Sequence, residues 1–216
     1  MPDAPDSSNL SLGLGGAAHP VAPAVPVARS SAATDVALVA TFAAFIAVCA
    51  ILPAIPVPGS VVPITLQTFG VMLAGLVLGA RRGALAALLY LAVGAAGLPV
   101  FAGGAGGVGV FASLSAGYLL AFPLAAALAG YLATRAGGLR PSVRYVALFA
   151  SATAASLLVV HPIGIAVMGW RGGLSVSEAL VAGSRYIPGD LIKNLLAALV
   201  ASAVLRAFPD MVRRRP

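Results

Sequence analysis

The chain has 216 residues, of which 60% are hydrophobic and only 9% are charged, and its mean hydropathy is +1.02. A soluble domain carries roughly 25% charged residues, so this composition predicts an integral membrane protein. The net charge of +7 is not typical of a nucleic-acid-binding protein, because the arginines punctuate apolar segments instead of sharing a wet face with aromatic residues. We therefore predict a lipid bilayer as the environment and no nucleic acid partner.

The beginning of the chain differs in composition from the rest. Residues 1–34 are rich in proline, alanine, serine and glycine and show no helical apolar stripe, so we predict a disordered tail there. A signal peptide is not predicted, since Asp3 and Asp6 precede any basic residue. A transmembrane domain over residues 35–208 and a basic cytoplasmic tail over residues 209–216 complete the predicted organisation.

Six apolar segments follow the tail, and each is predicted to be a transmembrane helix. A helix needs roughly 20 apolar residues to cross the hydrocarbon core of a bilayer, and fewer when it packs among others. The fold class predicted is an all-α, polytopic membrane bundle of six helices. The predicted spans are residues 36–55, 66–78, 84–96, 117–134, 143–168 and 188–208.

The basic residues test this count independently of hydropathy. With six spans and both termini on one side, ten of the 13 basic residues fall on that side and three on the other. The positive-inside rule then makes the first side cytoplasmic, with both termini inside. The three basic residues predicted on the outer side are Arg171, Arg185 and Lys193.

The first span contains Cys49 and two pairs of small residues. A single cysteine in an apolar segment predicts neither a disulfide nor a cysteine-based metal site, and we expect Cys49 in the core. Ala40 with Ala44 and Ala43 with Ala47 have the four-residue spacing that lets helices approach closely. They suit either a partner subunit or packing within this chain.

Two polar residues, Thr65 and Gln67, precede the second span. They either close over a ligand or cap the helix, and the sequence leaves both roles open.

A glycine-rich segment, FAGGAGGVGVF over residues 101–111, lies between spans 3 and 4. Gly104, Gly106 and Gly109 match the G-x-G-x-x-G spacing of dinucleotide-binding loops, but no acidic residue follows at the required distance and the loop is predicted to face outward. We therefore exclude a nucleotide. The segment is either a connector or a loop that covers a ligand, in which Gly104 and Gly107 allow close backbone approach.

Only two carboxylates are predicted in the outer half of the molecule. Ser175 and Glu178 have the spacing of a capping box, which predicts a short helix. Asp190 lies in the first turn of the last span, where it suits the helix dipole, but Lys193 follows three residues later on the same helical face. Charged residues entering an apolar helix must face protein or a cavity, so the pair either binds a polar solute or forms a structural ion pair.

Catalytic and energy-coupling motifs are missing from the sequence. His161, beside Pro162, has no Cys, Asp or Glu at ligand spacing, so we predict no metal and expect its ring to bond a carbonyl freed by the proline. The only lysine is not in a P-loop motif, and no catalytic constellation converges on one side. We predict a non-enzyme without cofactors. It is either a binding subunit energised by partners or a secondary transporter of a small anionic metabolite driven by an ion gradient.

Three segments carry a family resemblance. In order and spacing, VPITLQTFGVMLAGLVLGARRGALAALLYLAVGAAGLPVFAGG, GYLLAFPLAAALAG and IPGDLIKNLLAALVA resemble the BioY family, the biotin-specific membrane subunit of energy-coupling factor (ECF) transporters. The resemblance covers about residues 36–208. It implies plasma-membrane biotin uptake, a biotin site near the outer face, and a complex with a transmembrane coupling subunit and two ATPases.

The resemblance also implies ligand-binding roles for individual residues. Asp190 and Lys193 match the family positions expected to bind polar groups of biotin, and Tyr118 matches a Gly-Tyr position expected at the pocket. The chain departs from the usual Pro-Thr-Gly-Gly-Tyr run, since SLSAGY stands there. The alanine pairs of the first span would dock the coupling subunit. Apart from the resemblance, Phe101 borders an outer loop and could wall the apolar part of the ligand, as could Phe111 and Trp170. Each also suits an interfacial anchor, the role we favour for Trp170.

Overall fold

The computed structural model describes residues 32–57, 62–136 and 139–208. The predicted basic tail and residues 1–31 of the predicted N-terminal tail lie outside these ranges. The described residues are helical apart from their loops and one isolated bridge between Ile55 and Ile64. The helices are α1 (Ala32–Ile51), α2 (Gln67–Leu78), α3 (Ala80–Ala95), α4 (Ala116–Thr134), α5 (Pro141–Ala155), α6 (His161–Gly172), α7 (Val176–Ser184) and α8 (Ile187–Ala207).

The all-helical class is confirmed. Among the described residues, four helices are long and apolar enough to cross a membrane: Ala32–Ile51, Ala116–Thr134, Ser142–Gly172 and Ile187–Ala207. The 12 residues of α2 rise about 18 Å at 1.5 Å per residue, less than the hydrocarbon thickness of about 30 Å. The count of six spans and the orientation of the termini therefore stay predictions.

The first helix is shifted from its predicted bounds. It begins at Ala32, inside the predicted tail, and ends at Ile51 instead of continuing to Ile55. Pro53 explains the early end, because proline has no amide hydrogen and disfavours a helical conformation at the residue before it. Cys49 is buried and free, as predicted.

Helices α5 and α6 form one continuous helix through a π turn at Ser156–Val160. The backbone N–H of His161 bonds to the carbonyl of Ser156, five residues back. Pro162 comes next and donates no hydrogen bond, so the wider turn stands where regular α-helical bonding is interrupted.

One end of the bundle is packed by glycines. Gly79 has a φ of 84° and turns the chain sharply from α2 into α3. A Cβ on Gly75 would overlap the carbonyl oxygen of Ala126, and one on Gly130 would overlap the backbone of Gly79, so α4 lies directly on this turn. We call it the hairpin end. An ion pair of 2.7 Å between Arg82 and Asp35 also ties the starts of α3 and α1 together.

Candidate ligand site

The opposite end of the bundle, the cavity end, encloses a cavity of about 360 Å³ where α2, α4 and α8 begin. This volume is typical of small-molecule sites. The N-cap residues Leu66, Ser115 and Tyr186 do not cap these helices with their side chains. Three helix N-termini therefore surround the cavity, and their dipoles favour a negatively charged ligand group.

A polar cluster of Thr68, Asp190 and Lys193 lines this cavity. The ammonium of Lys193 lies 2.7 Å from Oδ1 of Asp190 and 3.1 Å from the hydroxyl of Thr68. That hydroxyl donates to the same carboxylate oxygen at 2.9 Å. Asp190 is 5% and Lys193 8% exposed, so the ion pair lies inside the protein and joins α8 to α2.

The polar cluster can accept and donate further hydrogen bonds. An ammonium group has three N–H donors, and two of the Lys193 donors are directed to Asp190 and Thr68. One donor is left for a ligand carbonyl or carboxylate. The carboxylate of Asp190 keeps acceptor capacity, so a ligand with both N–H groups and oxygen acceptors suits the cluster.

Aromatic side chains form much of the apolar wall. Phe101 is buried, lines the cavity, and packs edge-on against Tyr90 and Phe111 with ring centroids 5.4 and 5.8 Å away. Tyr118 lines the cavity too and packs against Tyr186, with centroids 5.8 Å apart. The Tyr118 hydroxyl is buried and makes no hydrogen bond within the described part of the chain, which makes it a candidate ligand contact.

Thr65 and Gln67 line the cavity and also hold the start of α2. The Thr65 hydroxyl donates to the Gln67 side-chain carbonyl at 2.9 Å and accepts the Gln67 backbone N–H at 3.4 Å. The Gln67 amide donates to the Tyr90 hydroxyl, which donates to the Val100 carbonyl at 3.2 Å. Both roles that the sequence left open are compatible with these contacts.

The glycine-rich segment forms part of the cavity wall. Gly103 and Ala105 line the cavity, whereas the structure does not bring Gly104 or Gly107 to its wall. The Gly107 amide instead bonds to the Gly94 carbonyl at 2.7 Å, which ties this part of the loop to the end of α3. The ligand-covering roles of Gly104 and Gly107 therefore stay predictions.

His161 also differs from its expectation. Neither of its ring nitrogens makes a hydrogen bond to any carbonyl of the described residues. Its Nε2 instead lies 3.2 Å from Oδ2 of Asp190, within ion-pair distance. The described residues contain no group of three His, Cys, Asp or Glu side chains that could hold a metal.

Sequence reasoning missed Thr68 and His161. Thr68 is 122 residues from Asp190 along the chain, and His161 is on another helix, so no local spacing connects them. A polar residue in the first turn of a short apolar helix was the only available signal for Thr68.

The remaining predicted residues lie away from the cavity. Ala43 is buried and Ala47 half-buried within the bundle, whereas Ala40 and Ala44 face outward on α1. Trp170 is 78% exposed, and Arg171 lies over its ring.

The predicted capping box at the start of α7 is present. The Glu178 carboxylate accepts hydrogen bonds from the backbone N–H of Ser175 at 2.8 Å and from its hydroxyl. These hydrogen bonds hold the pKa of Glu178 below its usual value.

Comparison with known proteins adds an independent finding. The model of the BioY family matches residues 22–210. The chain is 42% identical to a biotin transporter BioY of Rhizobium etli, over 83% of this chain and 97% of that protein. It is 39% identical to a biotin transporter BioY of Rhodobacter capsulatus, over 84% and 98% of the two chains. A crystal structure of the S-component for biotin from an ECF-type ABC transporter matches with a TM-score of 0.72 and 26% identity, covering 81% of this chain and 92% of that one.

Proposed function

The chain belongs to the BioY family, and from that membership we propose that it is the membrane-embedded subunit that binds biotin for uptake by an ECF transporter. It is a multi-pass membrane protein. The observation that carries the proposal for the site is the buried pair of Asp190 and Lys193 in an aromatic-walled cavity at three helix N-termini.

The chemistry of biotin suits this cavity. Biotin joins a fused ureido and thioether ring system to an aliphatic chain that ends in a carboxylate. Asp190 offers an acceptor for ureido N–H groups, and the free Lys193 donor offers a partner for an oxygen of the ligand. Phe101 and Tyr118 supply apolar surface for the rings and the chain, and Gln67 and Thr65 close the side formed by α2.

The energy for uptake comes from partner subunits. The sequence contains no P-loop, so we propose a transmembrane coupling subunit and two ATPases as partners in the plasma membrane. The outward-facing Ala40 and Ala44 on α1 support a docking surface there, whereas Ala43 and Ala47 pack inside the bundle. We propose six spans with the hairpin end and both termini in the cytoplasm, which the arginine distribution supports.

Calorimetric titration of the purified protein with biotin and desthiobiotin tests the site. We expect Asp190→Asn and Lys193→Ala each to abolish tight biotin binding, because each leaves a buried polar partner unpaired. The matched control is Glu178→Gln, which neutralises an exposed carboxylate on α7 and should bind biotin normally. Unchanged affinity in both cavity variants, in folded protein, would overturn the site assignment.

A further inference from the structure

His161 is a further polar side chain next to Asp190, at the carboxylate oxygen that Thr68 and Lys193 do not contact. Thr68 and Lys193 both bond to Oδ1 of Asp190, whereas Nε2 of His161 lies 3.2 Å from Oδ2. His161 is 3% exposed and faces a second, largely apolar cavity of about 680 Å³ between α6, α7 and the start of α8. The carboxylate of Asp190 therefore stands between the ligand cavity and the imidazole.

We propose that His161 is a positioning residue for Asp190: it donates from Nε2 to Oδ2 and holds the carboxylate so that Oδ1 faces the cavity. The proposal rests on the proposed function, because it takes Asp190 as a ligand-binding group. A carboxylate bonded through one oxygen alone could rotate, and a buried oxygen without a partner is costly. A donor on the second oxygen prevents the rotation and pairs that oxygen before the ligand binds.

The local backbone brings His161 to this place. The π turn at Ser156–Val160 ends directly before it and inserts an additional residue into the helix. One residue corresponds to about 100° of rotation in an α-helix, so the turn changes which side chains of α6 face α4 and α8. π turns occur often at functional sites, and this one sets the direction of the imidazole.

The aromatic packing holds the ring from the other side. Tyr118 lies edge-on to His161, with centroids 6.4 Å apart and an interplanar angle of 86°. Gly164 permits this, since a Cβ there would overlap the Tyr118 ring. The imidazole is thus confined between Asp190 and Tyr118, and a ring fixed in this way can hold a carboxylate in one orientation.

No other polar group competes for the imidazole in the part of the chain that the structure describes. Neither ring nitrogen makes an aligned hydrogen bond there, so the polar contact of the imidazole is the 3.2 Å approach of Nε2 to Oδ2 of Asp190, and the second cavity is lined by apolar residues such as Pro162, Ile165 and Leu180. If His161 served only packing, phenylalanine could replace it without loss of biotin affinity. If His161 serves as a hydrogen-bond donor to Asp190, glutamine could replace it, because its amide N–H can take the place of Nε2–H.

The test compares His161→Phe, His161→Leu and His161→Gln by calorimetric titration with biotin, with thermal unfolding as a check of folding. We expect the two apolar variants to lose about ten- to a hundredfold in affinity, as for a hydrogen bond to a charged group, and His161→Gln to stay within about threefold of the original protein. The control is Ser151→Ala on the same continuous helix, where the lost hydroxyl bonds only to the Ala147 carbonyl. Normal binding by a folded apolar variant, or equal losses in all three variants, would overturn the proposal.

A second comparison separates this proposal from the proposed function. If Asp190→Asn and Lys193→Ala bind biotin normally, the proposed function of the site is wrong. If they lose binding and the His161 variants do not, only the positioning role is wrong.

Discussion

The two ends of the bundle differ in how closely their helices pack and in whether they bury charged side chains. At the hairpin end, Gly75, Gly79 and Gly130 let the backbones of α2, α3 and α4 touch, and close packing stabilises membrane helices. At the cavity end the helices separate around about 360 Å³ and bury Asp190 with Lys193. Burying charges costs desolvation energy that a pair only partly recovers. The hairpin end is therefore close-packed, whereas the cavity end keeps a buried ion pair, which fits the proposed ligand site.

The largest expected effect concerns the ion pair. Lys193→Ala should lower the free energy of unfolding by about 3–5 kcal/mol, because it leaves the Asp190 carboxylate buried without its cation. The double variant Asp190→Leu/Lys193→Met should recover the lost stability and still not bind biotin. Unfolding in detergent and biotin titration measure the two quantities. A double variant as unstable as the single one would show that the pair serves stability after all.

The next effect belongs to the hairpin end. Gly130→Ala should cost about 1–3 kcal/mol of unfolding free energy, because the new Cβ would press on the backbone of the turn at Gly79. Its control is Gly109→Ala, where an added Cβ meets nothing within 4 Å. Biotin affinity per folded molecule should not change in either variant. A loss of affinity in Gly130→Ala would show that packing at the hairpin end also affects the ligand site.

A smaller effect is expected from hydroxyls at the cavity end. Tyr118→Phe should weaken biotin binding by about 0.5–1.5 kcal/mol without lowering stability, because its buried hydroxyl makes no hydrogen bond to the described residues. Tyr90→Phe should instead lower stability and leave biotin affinity unchanged, since the Tyr90 hydroxyl bonds to Gln67 and Val100. Titration and unfolding of both variants make the comparison. Equal stability losses would mean that the Tyr118 hydroxyl has a structural role.

The smallest effect lies in α7. Hydrogen bonds from Ser175 lower the pKa of Glu178, so the carboxylate contributes stability above its unfolded-state pKa and loses it as the pH falls through the folded-state pKa. Glu178→Gln should flatten this acid-side decline in thermal stability and leave biotin binding at neutral pH unchanged. An unaltered pH profile would mean that other carboxylates cause the loss of thermal stability at acid pH.

Some features follow from the sequence alone because they depend on neighbours along the chain. Composition predicts the membrane class, and apolar segments predict the helices at nearly their observed places. The spacing of Ser175 and Glu178 predicts the capping box, and the three-residue spacing of Asp190 and Lys193 predicts their contact. Apart from the overall composition, these are properties of one helix or one turn.

Other features were decided only by the tertiary structure because they depend on how separate helices meet. Thr68 joins the polar cluster from α2, and His161 reaches Asp190 from α6 after a π turn that hydropathy does not register. A hydrogen bond similarly ties Gly107 of the glycine-rich segment to Gly94 of α3. The sequence alone indicated Asp190, Lys193 and Tyr118 as candidate residues for a ligand site. The rotation and close approach of neighbouring helices decided which of them share a site, since side-chain direction on a helix changes by about 100° with each residue.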